Sequence, residues 1–402
     1  MGLEVDVVIV GGGAGGLALG RALALEGVPA LILEAGGDVR PAARGELLQP
    51  NGLRVLAELG VLERLLTSGA QVIHTIEFYQ RGGDLLGTVD YRLLDPPYNY
   101  VVGNRPHRLR QLLLESLGDT PIWWHAKVEG LQRDGNMWRV AVSTPAGPQQ
   151  VRSRIVVAAD GAHSQVRRLL GIRSRVRTYR DAYALTIVPR PADFPAVVRQ
   201  YQGGGTLLGL IPVHPDELYV YWYVPAHRRD DFRRRGPGPL PQVLGREAPG
   251  LAESLTSLPA AAWTVIVPVR VDAETWVVDG GVLLGDAAHA LNPNAAQGTN
   301  QALEDARALA PVLAAALRKG RVDAASLAAY EQARRSLAAG AQRAGEEAAR
   351  WWTSANPLVE WLAARVIRNL RHHPDLARRL VALTAGLEAA PFTLAERFRL
   401  LI

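Results

Sequence analysis

The chain has 402 residues, of which 48% are hydrophobic and 21% charged, as in an ordinary globular protein of one large or two medium domains. It contains no cysteine, which excludes disulfides, thiolate metal sites and cysteine nucleophiles. The net charge of +6 comes almost entirely from arginine, since Lys127 and Lys319 are the only lysines. These arginines do not alternate with aromatic residues as in a nucleic-acid stacking platform, so we expect no nucleic-acid partner.

The N-terminal segment has two acidic residues before a short apolar run, unlike the basic start of a secretory signal. No stretch approaches the roughly 18 uninterrupted apolar residues that a transmembrane helix needs. We therefore expect a cytoplasmic protein without a transmembrane segment.

The first motif follows a predicted buried strand at residues 6–10. Gly11, Gly13 and Gly16 match G-x-G-x-x-G, with helical spacing at residues 17–26 and a second apolar strand at residues 30–33. Gly11 permits a tight turn, Gly13 lets a pyrophosphate approach the backbone, and Gly16 allows close helix–strand packing. This context predicts a dinucleotide site rather than a purely structural glycine turn.

The start of this helix supplies the groups that receive phosphates. Backbone N–H groups around Ala14 and Gly15 and the positive end of the helix dipole favour an anion. Glu34 ends the second strand and can accept hydrogen bonds from ribose hydroxyls. Its charge disfavours a 2′-phosphate, so we expect an adenosine diphosphate moiety without one.

A second motif lies at residues 154–167, where an apolar strand runs into Asp160-Gly161 and then Ser164 and Arg167. By itself this pattern is equally typical of a turn with Ser164 as a local helix cap.

A third motif lies at residues 282–300, where a buried strand ends in Gly285-Asp286. A polar loop with Pro293 and Gly298 then leads into a helix predicted to reach about residue 317. Asp286 can bind a ribityl or ribose hydroxyl. The helix dipole can stabilise the negative charge that a reduced flavin gains at its N1–C2=O edge, which a nicotinamide does not require.

Together, the three motifs resemble the GxGxxG, DG and GD signatures of the FAD-dependent monooxygenases of the p-hydroxybenzoate hydroxylase type, the class A flavin hydroxylases. The resemblance spans about residues 5–330 and departs from the family pattern at Ala296 and Arg108. It implies that FAD is held by the following residues: Gly11, Gly13, Ala14, Gly15, Gly16, Glu34, Arg44, Arg105, Val128, Asp160, Gly285, Asp286, Pro293, Gly298, Thr299 and Asn300.

Within that set the resemblance gives each group a place. Arg44 and Arg105 lie near the pyrophosphate and isoalloxazine, and Val128 gives a backbone contact to adenine. Asp160 helps to organise FAD and NAD(P)H. Pro293 and residues 298–300 line the flavin ring.

Because the motifs lie far apart but serve one cofactor, we predict a discontinuous domain and an α/β fold. Residues 1–75, 99–180 and 270–330 form a Rossmann-type FAD-binding domain. Residues 76–98 and 181–269 form an inserted, mostly antiparallel β-sheet domain for the substrate. Residues 331–402 form C-terminal helices, whose tryptophans and arginines are interpreted as a packed amphipathic layer in preference to a membrane-surface segment.

The resemblance also implies the reaction, in which NADPH or NADH reduces FAD and a C4a-hydroperoxide formed with O2 hydroxylates the substrate. No second G-x-G-x-x-G occurs between a strand and a helix, in agreement with a nicotinamide co-substrate that docks transiently. The protein contributes positioning and exclusion of water.

The substrate is expected between the inserted sheet and the flavin. Residues 207–212 are apolar, and Tyr219, Tyr221 and Tyr223 alternate with apolar residues along one strand. We predict that Leu210, Pro212, Tyr221 and Pro293 line the pocket, although ordinary sheet packing would give the same alternation. The composition favours an apolar ring, a polyketide-like or a prenylated substrate, with no carboxylate-binding arginine near residues 207–212.

Neither a catalytic base nor a metal site is predicted. A lone histidine such as His289 is more often structural, and His372-His373 lacks spaced carboxylate partners. The scarcity of lysine in this chain argues against a flavin-dependent halogenase. A flavin-dependent reductase of prenyl or quinone-like substrates and a non-catalytic flavin-binding protein stay open as alternatives.

Overall fold

The structure is a computed structural model that describes residues 3–40, 44–236, 241–244 and 249–402. The predicted domain segments also include residues 1–2, 41–43, 237–240 and 245–248, which lie outside the described residues.

The strands, in chain order, are β1 (Leu3–Val10), β2 (Ala30–Leu33), β3 (Glu46–Leu48), β4 (Gln71–Ile73), β5 (Thr75–Gln80), β6 (Leu85–Asp90), β7 (Val101–Asn104), β8 (Ile122–Trp123), β9 (Lys127–Asp134), β10 (Met137–Thr144), β11 (Gly147–Ala158), β12 (Ser174–Thr178), β13 (Ala182–Pro189), β14 (Val198–Gly203), β15 (Thr206–His214), β16 (Glu217–Val224), β17 (Thr264–Ile266), β18 (Val269–Ala273), β19 (Val277–Val278) and β20 (Gly281–Leu283).

The helices are α1 (Ala14–Leu25), α2 (Pro50–Glu58), α3 (Leu62–Thr67), α4 (Pro106–Glu115), α5 (Gln165–Leu169), α6 (Arg229–Arg235), α7 (Pro241–Leu244), α8 (Pro249–Thr256), α9 (Asp286–His289), α10 (Gly298–Arg318), α11 (Ala324–Trp352), α12 (Pro357–Asn369), α13 (Pro374–Thr384) and α14 (Leu394–Arg399).

The first sheet has a parallel centre in the order β20-β11-β1-β2-β8. Its central strands are apolar because both faces are covered, and residues 7–9 of β1 have no solvent exposure. The β1–α1–β2 unit places the start of α1 at the carboxyl edge of this sheet, where open parallel sheets bind ligands.

The second sheet has the order β17-β13-β16-β15-β14-β5-β6 and is antiparallel except between β14 and β5. Its strands come from residues 75–90 and 182–266, which nearly coincide with the two predicted inserted segments. Residues 203–205 make the turn between β14 and β15, and all three are glycines with positive φ.

Helices α10 and α11 pack against the first sheet, whereas α12 and α13 pack against the second. No helix within the described ranges is both long and apolar enough to cross a lipid bilayer. The predicted fold class, a Rossmann-type domain with an inserted antiparallel sheet and C-terminal helices, is confirmed.

Candidate functional site

The glycine loop between β1 and α1 is fixed by close backbone contacts. Gly11 has φ +116°, and a Cβ there would lie 2.3 Å from the carbonyl oxygen of Ala159. A Cβ on Gly16 would lie 1.9 Å from the carbonyl oxygen of Gly11. Gly13 is different, since a Cβ there would meet nothing within 4 Å. Two glycines therefore close the loop, and the third faces open space.

The three motifs converge at this loop. A Cβ on Gly15 would lie 2.6 Å from the side chain of Leu284, so α1 packs directly on the end of β20. Arg167 is buried, and its Nη1 donates to the carbonyl of Ala287 at 2.7 Å. The guanidinium thus joins the second motif to the third.

Glu34 lies at the tip of β2 beside the glycine loop. Its carboxylate accepts hydrogen bonds from the backbone N–H of Gly12 at 2.6 Å and of Gly36 at 2.7 Å. The carbonyl of Glu34 accepts from the N–H of Ala126 at 2.8 Å. Val128, two residues further along, is buried in β9. The structure therefore brings Glu34 and the chain around Val128 together at this edge.

Arg110 on α4 holds the glycine loop from outside, a role that the sequence reasoning missed. Its Nε and Nη2 donate to the carbonyl of Gly12 at 3.1 and 2.9 Å. The helical periodicity of α4 could have placed Arg110 on the side that faces α1. Nothing in the sequence identifies the carbonyl of Gly12 as its partner.

Arg105, which the family resemblance places near the pyrophosphate and isoalloxazine, lies in front of α4 and turns toward the second sheet. It forms an ion pair with Glu217 of β16 at 3.5 Å and lines a cavity of about 220 Å³. Its buried Nε has no hydrogen-bond partner among the described residues. In this structure Arg110, and not Arg105, contacts the loop, because Arg105 precedes the helix and faces the second sheet.

Asp160 supports the Ser164 cap that was the alternative interpretation of this motif, in which Ser164 Oγ accepts from the N–H of Arg167 at 2.9 Å. Its carboxylate accepts from Ser164 Oγ and from the N–H groups of Gln165 at 2.8 Å and Val166 at 3.0 Å. Its own backbone N–H lies next to Gly11. The side chain therefore stabilises the start of α5 and fixes the strand end on which the glycine loop rests.

The Gly285-Asp286 turn is supported by a buried ionic network. Asp305 accepts from the N–H of Gly285 at 2.9 Å, lies 2.6 Å from His289 Nε2, and accepts from Arg334 Nε at 2.9 Å. Burial alone would raise the pKa of Asp305, but the charges and hydrogen bonds of His289 and Arg334 hold that pKa well below its ordinary value. His289 is thus structural in this network, as expected of a lone histidine.

Asp286 itself is exposed to solvent, but protein atoms surround its carboxyl closely enough to desolvate it, so it lies in a recess of the surface. Desolvation by the surrounding protein raises the pKa of its carboxyl, while the charges of His289 and Arg44 oppose the shift. Arg44 is exposed beside this recess, so its charge acts on the same space. A carboxyl group so placed is suited to hydrogen bonding with a hydroxyl.

The start of α10 faces the same recess. Pro293 is exposed, and a Cβ on Gly298 would meet nothing within 4 Å. Thr299 Oγ1 donates to Glu46 at 2.8 Å, and Asn104 donates to the same carboxylate at 3.0 Å. Burial raises the pKa of Glu46, although Arg44 and these two hydrogen bonds oppose the shift.

Asn300 does not present its side chain to this space. Its Oδ1 accepts from the N–H of Gln49 at 2.9 Å, and its Nδ2 donates to the carbonyls of Leu47 and Ala296. The Asn300 side chain therefore ties α10 to β3 and α2, and a contact of Asn300 with the flavin ring, which stays a prediction, falls to its backbone.

A row of tyrosines on β16 and β13 forms the substrate side, which we call the tyrosine face. Tyr221 donates to Gln200 Oε1 at 3.1 Å, and Tyr183 accepts from Asn294 Nδ2 at 2.7 Å. The ring of Tyr221 covers Gly209, where a Cβ would lie 1.9 Å from it. Asn294 belongs to the loop before α10, so the tyrosine face adjoins the recess.

Leu210 and Pro212 do not share this face. Leu210 is fully buried on the opposite side of the sheet, in the cluster that contains Val220 and Trp222. Pro212 is buried with its carbonyl against Gly103 of β7. Leu210 and Tyr221 therefore do not share a face, because alternate residues of β15 point to opposite faces, and which of them lines the substrate pocket stays a prediction.

The C-terminal helices cover the tyrosine face. Ile367 of α12 and Val381 of α13 belong to the same apolar cluster as Tyr219 and Tyr223. Gln297, just before α10, donates to the carbonyl of Thr384 at 2.7 Å. We call residues 357–385 the roof.

These residues fit a flavin dinucleotide. Within the described chain, no side chain caps α1 or α10, and neither helix has an acidic residue in its first turn. Gly13 and Gly298 leave open space at both helix starts, and Asp286 and Pro293 are accessible between them. The positive helix ends are therefore available to a diphosphate and to an electron-rich ring edge.

Comparison with known proteins agrees with this geometry. The family model described as "FAD binding domain" matches residues 4–344. The chain is 32% identical over 325 residues to 6-methylpretetramide 4-monooxygenase of Streptomyces rimosus, which covers 79% of this chain and 77% of the relative. It is 30% identical over 314 residues to 2-heptyl-3-hydroxy-4(1H)-quinolone synthase of Pseudomonas aeruginosa, covering 76% and 80%.

Solved structures give the same fold. P. aeruginosa PqsL in complex with 2-aminobenzoylacetate has a TM-score of 0.80 at 27% identity, covering 89% of this chain and 99% of that one. The p-nitrophenol 4-monooxygenase PnpA of Pseudomonas putida has a TM-score of 0.85 at 22% identity, covering 98% and 100%, and shows the fold.

Proposed function

The chain belongs to the FAD binding domain family and is an FAD-dependent oxidoreductase of the monooxygenase type, and on this premise we propose that it hydroxylates an aromatic substrate with O2 and electrons from NADH or NADPH. The oxygenated-flavin route that the family resemblance implies is part of this proposal.

One observation carries the proposal, namely that the recess at two uncapped helix starts adjoins the tyrosine face through a single loop. Asn294 lies in that loop and is hydrogen-bonded to Tyr183. A ring held at the start of α10 therefore lies next to a surface on which a substrate can be placed. Such proximity is what a reaction between a bound cofactor and a substrate requires.

The nucleotide side of the site has mainly a binding role. The N–H groups at the start of α1 receive the diphosphate, while Arg110 and Glu34 keep the glycine loop in shape. Asp286 receives a ribityl or ribose hydroxyl. FAD, when bound, supplies the redox chemistry by which O2 is activated with electrons from a nicotinamide.

The substrate side orients the ring and excludes water. Burial raises the pKa values of Tyr183 and Tyr221, so both phenols stay protonated near neutral pH. Tyr183 accepts from Asn294 and keeps its own proton available for donation. A few such polar groups in an apolar face fix the orientation of a ligand, and the roof shields the face from water.

The names of two relatives, a 6-methylpretetramide 4-monooxygenase and a quinolone synthase, suggest ring systems as the first compounds to try. We propose a substrate with an aromatic ring, held between the tyrosine face and the start of α10.

The direct test uses the purified holoenzyme with NADPH or NADH and a panel of phenols, quinolones and fused polycyclic phenols. We expect one compound class to stimulate nicotinamide oxidation and to gain one oxygen atom from ¹⁸O2, as measured by mass spectrometry. A matched incubation in H2¹⁸O should leave the product unlabelled.

Other outcomes separate the alternatives. Nicotinamide oxidation that yields a product with two added hydrogens and no ¹⁸O would indicate a reductase. Protein that purifies with FAD but leaves the whole panel and the nicotinamides unchanged would indicate a non-catalytic flavin-binding protein.

A further inference from the structure

A cavity of about 420 Å³ opens at one end of the second sheet, where the turn between β14 and β15 meets the end of β16. We call it the basic cavity. It is distinct from the recess at the glycine loop, and its lining includes Arg81, Trp222, Tyr223, Arg228, Phe232 and Ala355. Its volume lies within the range of small-molecule sites.

The only fully charged side chains among the described lining residues of the basic cavity are positive. Arg81 and Arg228 line it, the imidazole of His227 adds a further polar group, and no acidic side chain is among the described lining residues. Two carboxylates lie at its margin, outside the lining, and each accepts a backbone hydrogen bond. Asp181 accepts from Ala226 at 2.9 Å, and Glu360 accepts from Gly204 at 2.8 Å.

The acidic residues next to Arg228 are also engaged. On α6, Asp230 pairs with Arg233 at 3.8 Å and Asp231 pairs with Arg235 at 3.3 Å. Within the described chain, Arg228 itself forms no ion pair. An exposed guanidinium without a carboxylate partner, at the mouth of a cavity, is suited to a ligand with a negative charge.

The walls of the basic cavity are aromatic and apolar. Trp222, Tyr223 and Phe232 contribute rings, and Val224 and Val243 contribute aliphatic surface. Rings and a cationic rim together match a molecule that has both an aromatic body and an acidic group.

Tyr223 connects this cavity to the substrate side. Its ring lies 5.9 Å from that of Tyr183, whose hydroxyl is bonded to Asn294 in the loop before α10. Burial and a hydrogen bond to Asp181 raise the pKa of Tyr223 to about 12, so its phenol adds no charge to the wall of the basic cavity. A ligand in the basic cavity thus lies one ring away from the tyrosine face.

We propose that the basic cavity binds an aromatic anion and is the entrance through which an acidic aromatic substrate reaches the tyrosine face. The identity of that ligand as a substrate rests on the proposed function, but the binding of an aromatic anion does not. The arginines that select the charge come from the ends of β5 and β16 and not from residues 207–212.

The test compares two fluorescent probes that share a ring system, anilinonaphthalene sulfonate and the neutral phenylnaphthylamine. Titrated into the FAD-loaded protein, the sulfonate should bind about 3-fold more weakly to Arg228→Gln and about 10-fold more weakly to Arg81→Gln/Arg228→Gln, since partly exposed ion pairs contribute modestly. The neutral probe should bind all these proteins equally. Arg234→Gln removes the same charge from α6 outside the cavity lining and should leave both affinities unchanged.

Equal sulfonate affinity in wild type and the double variant would overturn the cavity proposal, as would an equal loss in Arg234→Gln. An Ala355→Trp variant, which fills the cavity, should displace both probes while the flavin absorbance stays unchanged. These titrations need no turnover. If no compound is hydroxylated, the proposed function fails but the result for the cavity still stands. If a compound is hydroxylated and Arg228→Gln leaves sulfonate binding unchanged, only the cavity proposal fails.

Discussion

The glycine loop and the tyrosine face meet in one site, but different atoms hold them in shape. At the loop, backbone atoms approach so closely that a single added carbon on Gly11 or Gly16 would overlap a carbonyl. A buried charged network behind it supports the neighbouring turn. On the tyrosine face, neutral side chains such as Tyr221 and Gln200 make the polar contacts. The loop should therefore tolerate little change, and the face considerably more.

The largest effect is expected from Asp305→Ala, which leaves Arg334 and His289 without their buried carboxylate. Breaking a buried pair from one side costs about 3–5 kcal/mol, so the free energy of unfolding should fall by that amount in urea titrations. Asp375→Ala, which removes an exposed ion pair with Arg399, is the control and should change the free energy of unfolding far less.

The same substitution has a pH signature. The pKa of Asp305 is depressed in the folded protein, so its contribution is present above the ordinary aspartate pKa of about 4 and is lost as the pH falls toward the folded value. Asp305→Ala should accordingly lose less stability than wild type on acidification. If the free energy of unfolding fell equally in the two proteins as the pH is lowered, the stabilising role of Asp305 in the network would be wrong.

Gly16→Ala should come next, because its methyl group meets the carbonyl of Gly11. Overpacking of this kind costs about 1–3 kcal/mol, and the displaced loop should release flavin. The melting temperature and the FAD-to-protein absorbance ratio are the measurements. Retention of both would show that the loop is looser than its contacts indicate.

Gly13→Ala separates binding from folding. Its φ of −72° suits alanine and its Cβ would enter open space, so the melting temperature should be unchanged. FAD affinity should nevertheless fall about 10-fold, because the methyl group occupies the approach of the diphosphate. Gly250→Ala, on an exposed turn of α8, is the control and should change neither quantity. Unaltered FAD affinity in Gly13→Ala would place the diphosphate elsewhere.

The smallest effect is expected on the tyrosine face. Tyr221→Phe removes the hydrogen bond to Gln200 and should cost about 1 kcal/mol in unfolding free energy, with full FAD content. It should raise KM for the substrate while leaving NAD(P)H affinity unchanged. Tyr79→Phe removes a comparable bond to Glu77 on the opposite face of the sheet and should leave KM unaffected.

The glycine loop was predictable because its constraints are local. Gly11 and Gly16 follow a buried strand within a few residues, so the turn, the helix start and the strand end are encoded together. The convergence of the Asp160 and Asp286 motifs followed from the family order. The Ser164 cap was stated as an alternative interpretation, whereas the hydrogen bond from Ser164 to Asp160 was not predicted.

The substrate side was not predictable in the same way because it depends on strand register. The alternation along β15 predicts that Gly209 and Leu210 lie on opposite faces of the sheet. Nothing in the sequence says that Gly209, and not Leu210, is the residue paired with Tyr221 of β16. The partnership of Arg110 with Gly12 joins positions 98 residues apart and carries no pattern. The two arginines of the basic cavity likewise come together only through the pairing of β5 with β14, β14 with β15 and β15 with β16.

The roof is one continuous stretch of chain, residues 357–385, and it contributes no residue to the glycine loop. Relatives with a different stretch here could therefore diverge in what they oxidise while inheriting the same nucleotide machinery. Exchange of this stretch between two such enzymes is a direct route to altered selectivity, provided that the graft keeps the carbonyl that receives Gln297.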